Sequence, residues 1–170
     1  GKKQESLLER ESEHRILAML RRYEKNAGLE GIGFLIHPLS FNGPAYLDFL
    51  YDEESGAAGD FKVVVNKDYV NHPFLGLSIC HELGHVKNIK QGISKEFVDP
   101  HTTWQWIIAE TSADREAFKI YGKPRKKDIL HWLSEKTWIT MQNLGNMKYK
   151  GFIYKQLTVG IVRLLAASIA

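Results

Sequence analysis

Cysteine is nearly absent from this sequence, which has one cysteine, Cys80, among 170 residues. An internal disulfide is therefore impossible, and the cysteine content gives no sign of an oxidising compartment. The N-terminus is charged and polar and lacks the apolar segment of a secretory signal peptide, so we expect a cytoplasmic protein. The net charge of +3 is too small to indicate nucleic-acid binding by itself.

An apolar segment long enough to predict a membrane span is also missing. The most apolar stretch, residues 152–170, is too short and is interrupted by Lys155 and Arg163. We interpret it as a core helix or as an interface for a partner or a second copy of the chain. With 44% hydrophobic and 25% charged residues, and with no repeats or linkers, residues 1–170 are expected to form a single domain with a sizeable core.

Hydrophobic periodicity and turn residues predict both helices and short strands. Helices are expected at about residues 4–27, 73–91, 103–121, 128–142 and 152–170. Strands are expected at residues 32–37, 46–51 and 61–66, and in a meander they would form a small antiparallel sheet. The sequence therefore predicts an α+β fold in which a sheet of about three strands packs on a helical bundle.

The motif His81-Glu82-x-x-His85 carries the clearest chemical pattern in the chain. Residues four apart lie on one face of an α-helix, so the two histidines can direct their imidazoles at a single metal ion. Glu82 lies about 100° around the helix from His81, where it can reach a water bound to that ion without being its third ligand. Two imidazoles, one further ligand and an open position for water are typical of a catalytic zinc site. A surface helix can carry the same residues without binding a metal. A third ligand elsewhere in the chain is therefore needed to support the zinc interpretation.

A second predicted helix supplies that ligand. Glu110 and Asp114 are carboxylates four residues apart on a face that is otherwise small and apolar, with Ala113 and Ala117. Buried carboxylates require partners. A metal ion would satisfy Glu110, and the imidazole N–H of a metal-bound histidine would satisfy Asp114. The two alanines, together with Gly84, predict close packing of this helix on the motif helix. The alternative is a surface helix with its acidic side chains in water.

The motif, followed about 25 residues later by Glu-x-x-Ala-Asp-x-x-Ala, resembles the gluzincin metallopeptidases. The strand at residues 63–66, a short loop and then the motif helix are similar to the small ImmA/IrrE-type peptidases. The pair Ala113-Asp114 is nearer to the membrane-bound heat-shock and CAAX-processing zinc proteases. The resemblance covers residues 61–121. It implies a zincin-like fold, Glu82 as the catalytic base and three zinc ligands: His81, His85 and Glu110.

The reaction that this resemblance implies is hydrolysis of a peptide bond in a protein or peptide substrate. Glu82 would take the proton of a zinc-activated water and pass it to the leaving amine. The oxyanion needs a donor besides zinc, and the sequence leaves four candidates open: Tyr121, His131, Tyr149 and Tyr154. The substrate is expected to lie extended along the sheet, by strand addition to the strand that begins at Phe61 and ends at Asn66.

Two other functions remain open from the sequence. The chain could be a proteolytically silent zinc-binding module that acts through a partner surface such as residues 152–170, although binding alone does not need Glu82. The basic cluster at residues 123–127 could bind nucleic acid around a structural zinc. Structural zinc sites usually have four protein ligands and favour cysteine, so we expect no nucleic-acid partner and a solvated turn there. We also expect His72 in a turn and His101 in a solvated loop.

Overall fold

The computed structural model of the chain describes residues 1–38, 43–92, 94–142 and 150–169. The fold is α+β, as predicted. The strands are β1 (Gly33–His37), β2 (Ala45–Asp52) and β3 (Ala57–Asn66). The helices within the described ranges are α1 (Lys2–Ala27), α2 (Leu75–Gln91), α3 (Lys95–Val98), α4 (Thr103–Tyr121), α5 (Lys126–Gln142) and α6 (Lys150–Ile169). The short helix α3 lies between α2 and α4, where the sequence predicts no regular element.

The three strands form a mixed sheet, and the prediction of an antiparallel meander is wrong. β3 lies in the centre, pairs in parallel with β1 and pairs antiparallel with β2. β3 carries the most apolar run, in which Val63 and Val65 are fully buried. A central position buries such a strand between neighbours on both edges. β1 is therefore separated from β2 and lies beside β3 instead.

The position of β3 also corrects the expected substrate site. Because both edges of β3 are hydrogen-bonded to neighbouring strands, a peptide cannot add along Phe61 to Asn66. In the sheet formed by the described residues, the outer strands are β1 and β2. A peptide that binds by strand addition would therefore have to use one of these two strands.

Helix α2 lies at the centre of the fold. Twelve of its 17 residues are buried, including Leu77, Ile79 and Leu83. Its apolar side chains share one core with β3 and with the buried stripe of α1, which includes Ile16 and Leu20. Burying one such aliphatic side chain contributes roughly 1.5–3 kcal/mol. The surroundings of α2 therefore fix its orientation and the directions of the side chains of its motif.

Helices α2 and α4 pack against each other at very short range, as their small residues predict. A Cβ atom added to Gly84 would lie 2.5 Å from the carbonyl oxygen of Ala113. Ala113 and Ala117 are themselves fully buried. Only glycine allows this contact between the two backbones. The close approach brings the acidic face of α4 against the histidine face of α2.

The start of α4 has a capping box. The Thr102 side chain accepts from the backbone N–H of Gln105, and the Gln105 side chain accepts from the backbone N–H of Thr102. Of the two threonines that could cap this helix, Thr102 is the one that does. Such a cap stabilises a helix by about 1 kcal/mol and fixes its first turn. Glu110 follows two turns later on a helix whose start is thus well defined.

Helices α5 and α6 cover the other side of α2 and α4. Trp132 and Leu133 of α5 are buried against Leu77 of α2, and Ile153 and Val159 are buried on α6. By length and composition alone, Gly151–Ile169 would suffice to span a membrane, so the expectation that this stretch is too short is wrong. Of this stretch, 17% is buried inside the protein. The outer face of α6 exposes large apolar side chains at Phe152, Ile161, Leu165 and Ile169.

Candidate metal centre

The structure brings His81 and His85 of α2 together with Glu110 of α4. The Nε2 atoms of the two histidines are 3.0 Å apart. Glu110 Oε2 lies 3.2 Å from His81 Nε2, and Glu110 Oε1 lies 3.1 Å from His85 Nε2. Ligands on a tetrahedral ion with bonds of 2.0–2.1 Å are about 3.3 Å apart. The two distances to Glu110 end on different oxygens of its carboxylate. One ligand atom from each of the three residues lies within 4.8 Å of the others, so this group could bind a metal ion.

Asp114 accounts for the orientation of His81. The Nδ1 atom of His81 lies 2.8 Å from Asp114 Oδ1, and both side chains are buried. A carboxylate accepts a hydrogen bond, so His81 donates through Nδ1–H and keeps a lone pair on Nε2. That lone pair points towards His85 and Glu110. Asp114 thus prepares His81 to be a metal ligand, the usual arrangement around such histidines.

Arg163 of α6 holds both carboxylates of α4. Its Nε donates to Asp114 Oδ2 at 2.7 Å and its Nη2 donates to Asp114 Oδ1 at 2.6 Å. Its Nη1 lies 3.2 Å from Glu110 Oε2. The guanidinium is buried and lies against the ring of Trp132, with Cζ 5.5 Å from the ring centroid. The bidentate ion pair between Arg163 and Asp114 is geometrically specific, and its hydrogen bonds are charge-assisted.

The charges around these carboxylates outweigh their burial. Burial acts to raise the pKa of Asp114, but the charge and hydrogen bonds of Arg163, together with His81, lower it to about 2. Burial likewise acts to raise the pKa of Glu110, yet the two histidines and Arg163 hold it well below its ordinary value. Both groups are therefore carboxylates at neutral pH. An anionic Glu110 is a suitable ligand for a divalent ion.

Glu82 has a different environment from the other two carboxyl groups. It is only 8% exposed, and burial raises its pKa, while His85 and Lys136 act against that rise. No ligand role falls to it in the three-residue group described above. A carboxylate whose pKa is raised is a better proton acceptor, so this environment suits a general base.

A cleft of about 240 Å³ opens beside Glu110, between α5, α6 and the start of β2. Its charged lining groups are Glu110, Lys136 of α5 and Arg163. Gly43, Pro44 and Ala45 form the wall on the sheet side. Of the groups described above, Glu110 and Arg163 line the cleft, whereas His81, His85 and Glu82 do not.

The four candidates for an oxyanion donor are placed as follows. Tyr121 is at the end of α4, eleven residues beyond Glu110, and stacks on Tyr23 at 5.9 Å between ring centroids. His131 is exposed and packs against Phe74 at 5.0 Å. Tyr154 is 53% exposed near the start of α6. None of these three lines the cleft beside Glu110. Tyr149 lies outside the described residues.

Other titratable groups that could have joined the centre lie in ordinary surroundings. His72 is paired with Glu135, with Nε2 and Oε1 2.6 Å apart. His101 is exposed beside Asp99. Cys80 is buried in the apolar core, and burial raises the pKa of its thiol. The structure therefore does not bring these groups to the centre.

Sequence reasoning missed Arg163 and Lys136. In the sequence, Arg163 stands out only as a charge that interrupts an apolar helix. It follows the buried residues Ile153 and Val159 by ten and four positions on α6 and is itself buried. An arginine in a buried apolar stripe requires a carboxylate partner, and that signal could have paired it with α4. The position of Lys136 carries no comparable signal.

In comparisons with protein-family models, curated proteins and solved structures, the chain has no match. The functional assignment therefore depends on the chemistry of the metal centre and the cleft.

Proposed function

We propose that this protein is a zinc-dependent metallopeptidase of the gluzincin type with a zincin-like fold. The observation that carries this proposal is the spacing of 3.0–3.2 Å among the donor atoms of His81, His85 and Glu110. The resemblance of the two helical motifs to gluzincins supports the same assignment. The α+β architecture, with α2 and α4 side by side behind a small sheet, is compatible with it.

Zinc is the metal that suits this set of ligands. Two imidazoles and one carboxylate form a three-residue set of the kind found in catalytic zinc sites, which keep a fourth position for water. A structural zinc would require a fourth protein ligand and usually cysteine. The buried Cys80 belongs to the apolar core instead. A bound zinc would supply a polarised carbonyl and an acidified water.

The residues around the centre then have separate roles. Glu82 accepts a proton from the attacking water and delivers it to the leaving amine. Asp114 keeps His81 in the tautomer that presents Nε2. Arg163 holds Asp114 and Glu110 in place and compensates their charge in the buried environment. The contact of Asp114 with His81 and the two contacts of Arg163 with the carboxylates keep the centre preorganised before a substrate binds.

The substrate in this proposal is an extended peptide. The start of β2 forms part of the cleft through Pro44 and Ala45, and β2 is an outer strand of the sheet. A peptide that adds to β2 would place its backbone beside the metal centre, with main-chain hydrogen bonds providing affinity. β2 thus replaces β3 as the proposed binding strand.

A second candidate is a proteolytically silent zinc-binding module that acts through protein contacts. The exposed apolar side chains of α6, among them Ile161 at 52% and Leu165 at 58%, favour a partner or a second copy on that face. In this case the metal centre would stabilise the fold, and Glu82 would have no catalytic task.

Metal analysis followed by peptide digestion tests the proposal. We expect about one zinc per chain, cleavage of members of a peptide library, and loss of cleavage with a chelator. The matched variant Glu82→Gln should retain zinc and lose activity by ~10²–10⁴-fold. Zinc-loaded protein that cleaves nothing would favour the silent module. A chain that binds no metal would contradict both candidates, and an active Glu82→Gln variant would remove that residue as the base.

A further inference from the structure

Lys136 differs from the other charged groups that line the cleft beside the metal centre. Arg163 is paired with Asp114 and Glu110, and Glu110 also faces the two histidines. Lys136 makes no ion pair with any carboxylate among the described residues. Its Nζ lies 4.6 Å from the centroid of the Trp132 ring, which stabilises a cation but does not neutralise it.

The surroundings of this ammonium group are unfavourable without a partner. Burial lowers the pKa of Lys136, and the positive charge of Arg163 acts in the same direction. Glu82 and Glu110 act against this, but neither forms an ion pair with it. Lys136 is partly buried, and a cation that is partly withdrawn from water is stabilised by a nearby anion. The cleft therefore holds a positive group that a bound anion would stabilise.

The other lining groups leave Lys136 and Gln156 as donors for an anion. The Thr137 hydroxyl donates to the Leu133 carbonyl at 2.9 Å, and the Thr140 hydroxyl donates to the Lys136 carbonyl at 3.1 Å. These hydroxyls are occupied as donors by their own helix. The side-chain amide of Gln156 also lines the cleft and carries two N–H donors.

At one wall of the cleft, a glycine on α6 lets this helix pack closely on α5 at Thr137. A Cβ atom on Gly160 would lie 2.8 Å from Thr137 Oγ1. Leu133 and Val159 are buried and form an apolar part of the lining. The space thus combines an apolar floor, an amide, the paired charges of Arg163 and Glu110, and the unpaired cation of Lys136. The unpaired cation and the amide suit a short side chain that ends in a carboxylate.

We propose that this cleft is a carboxylate-binding subsite of the peptidase, in which Lys136 binds an acidic side chain or the terminal carboxylate of the substrate. The inference rests on the proposed function, because it gives the substrate class for the same metal centre. Lys136 is thus a specificity-determining residue rather than the proton acceptor.

Peptide pairs test the subsite kinetically. A cleavable sequence from the library digest is prepared with Glu or Gln at each position flanking the cut, and with a free or amidated C-terminus. The wild type should prefer one carboxylate form by about ten- to hundredfold in kcat/KM, as expected for a hydrogen bond to a charged group. In Lys136→Met this ratio should fall to about one. Lys127→Met, on the exposed side of the same helix, should keep the wild-type ratio.

The two sources of the carboxylate are separated by which pair shows the preference. A Glu-over-Gln preference identifies an acidic side chain, and a free-over-amidated preference identifies the C-terminus. A Lys136→Met variant that slows every peptide equally while keeping the ratio would overturn the subsite and assign Lys136 to the oxyanion. A wild type without any preference would overturn it as well.

Binding without catalysis distinguishes the failure of the subsite from the failure of the proposed function. Metal-free protein is titrated by NMR with N-acetyl-glutamate α-amide and N-acetyl-alanine, and with their neutral counterparts, N-acetyl-glutamine α-amide and N-acetyl-alaninamide. At least one carboxylate probe should shift the resonances of α5 and α6 in the wild type and in Lys127→Met, but not in Lys136→Met. If this is observed in a chain that cleaves no peptide, the subsite stands and the peptidase assignment fails. If the chain cleaves peptides without Lys136-dependent binding or preference, the peptidase assignment stands and the subsite fails.

Discussion

Replacing Arg163 by methionine should destabilise the metal-free protein by about 3–5 kcal/mol, the typical cost of removing one partner of a buried ion pair. The side chain of Arg163 is 7% exposed, and those of Asp114 and Glu110 are 8% and 19% exposed. The variant would leave both carboxylates in a poorly solvated site without their shared cation. Because a domain of this size is usually stable by about 5–15 kcal/mol, the loss is a large fraction of the total.

Zinc should reduce this loss. The ion would compensate Glu110, so the difference between wild type and Arg163→Met should be smaller in the zinc-loaded than in the metal-free protein. Urea unfolding of both forms, with and without zinc, measures the two differences. Asp114 would still lack its bidentate partner. Arg163→Met should therefore still have a lower free energy of unfolding than the wild type when zinc is bound.

The chain contains a matched control for this experiment. Arg125 also binds one aspartate, Asp128, through two nitrogens, at 2.7 and 3.2 Å, but it is 71% exposed. Arg125→Met should leave the free energy of unfolding nearly unchanged, since exposed pairs contribute little. An equally small effect of Arg163→Met would refute the argument from buried charge. If Arg163→Met does not fold, Arg163→Lys can replace it, because lysine keeps the charge but cannot bind a carboxylate through two nitrogens. The free energy of unfolding of Arg163→Lys should lie between those of the wild type and Arg163→Met.

Three further predictions concern the same centre. Glu110→Ala should lose zinc and stability together, and full zinc content by elemental analysis would remove Glu110 from the ligands. Asp114→Asn should weaken zinc affinity or activity by roughly 10–100-fold. In the metal-free protein, Asp114 stabilises the fold above its unfolded pKa, and roughly 2 kcal/mol of that stability is lost as the pH falls from about 4 towards 2. Asp114→Asn should lack this part of the acid dependence in denaturation measured across that range. Gly84→Ala should unfold well below the wild-type temperature because its Cβ would meet backbone, whereas Gly151→Ala, with no atom within 4 Å, should change the melting temperature little.

The local chemistry of the centre could be predicted from the sequence because it depends on helical spacing. His81 and His85 are one turn apart on α2, and Glu110 and Asp114 are one turn apart on α4, so each pair shares a face in any helix. The small residues Gly84 and Ala113 then indicate which faces meet. These are short-range rules, and the structure brings the side chains of the two histidines and the two carboxylates together at 2.8–3.2 Å.

The order of the strands could not be predicted in the same way. Three strands that follow one another along a chain favour a meander, and nothing local to β1 shows that it will pair with β3 instead of β2. The decision rests on which strand buries the most apolar surface in the complete fold. Val63 and Val65 require the central position, and this is a property of the core rather than of one segment.

The role of Arg163 at the site could not be predicted from the sequence. Its partners Asp114 and Glu110 are 49 and 53 residues earlier in the chain, and no spacing rule connects α6 with α4 over that distance. In the sequence, its charge only makes the helix less apolar and indicates no role for the residue. In the fold the same charge anchors the apolar helix to the metal centre. The guanidinium joins the carboxylate that orients His81 to the one that would bind the ion, so α6 and the centre depend on each other. This dependence is why a substitution on an apolar helix should be felt in zinc affinity, and why the Arg163 and Arg125 variants are the informative pair.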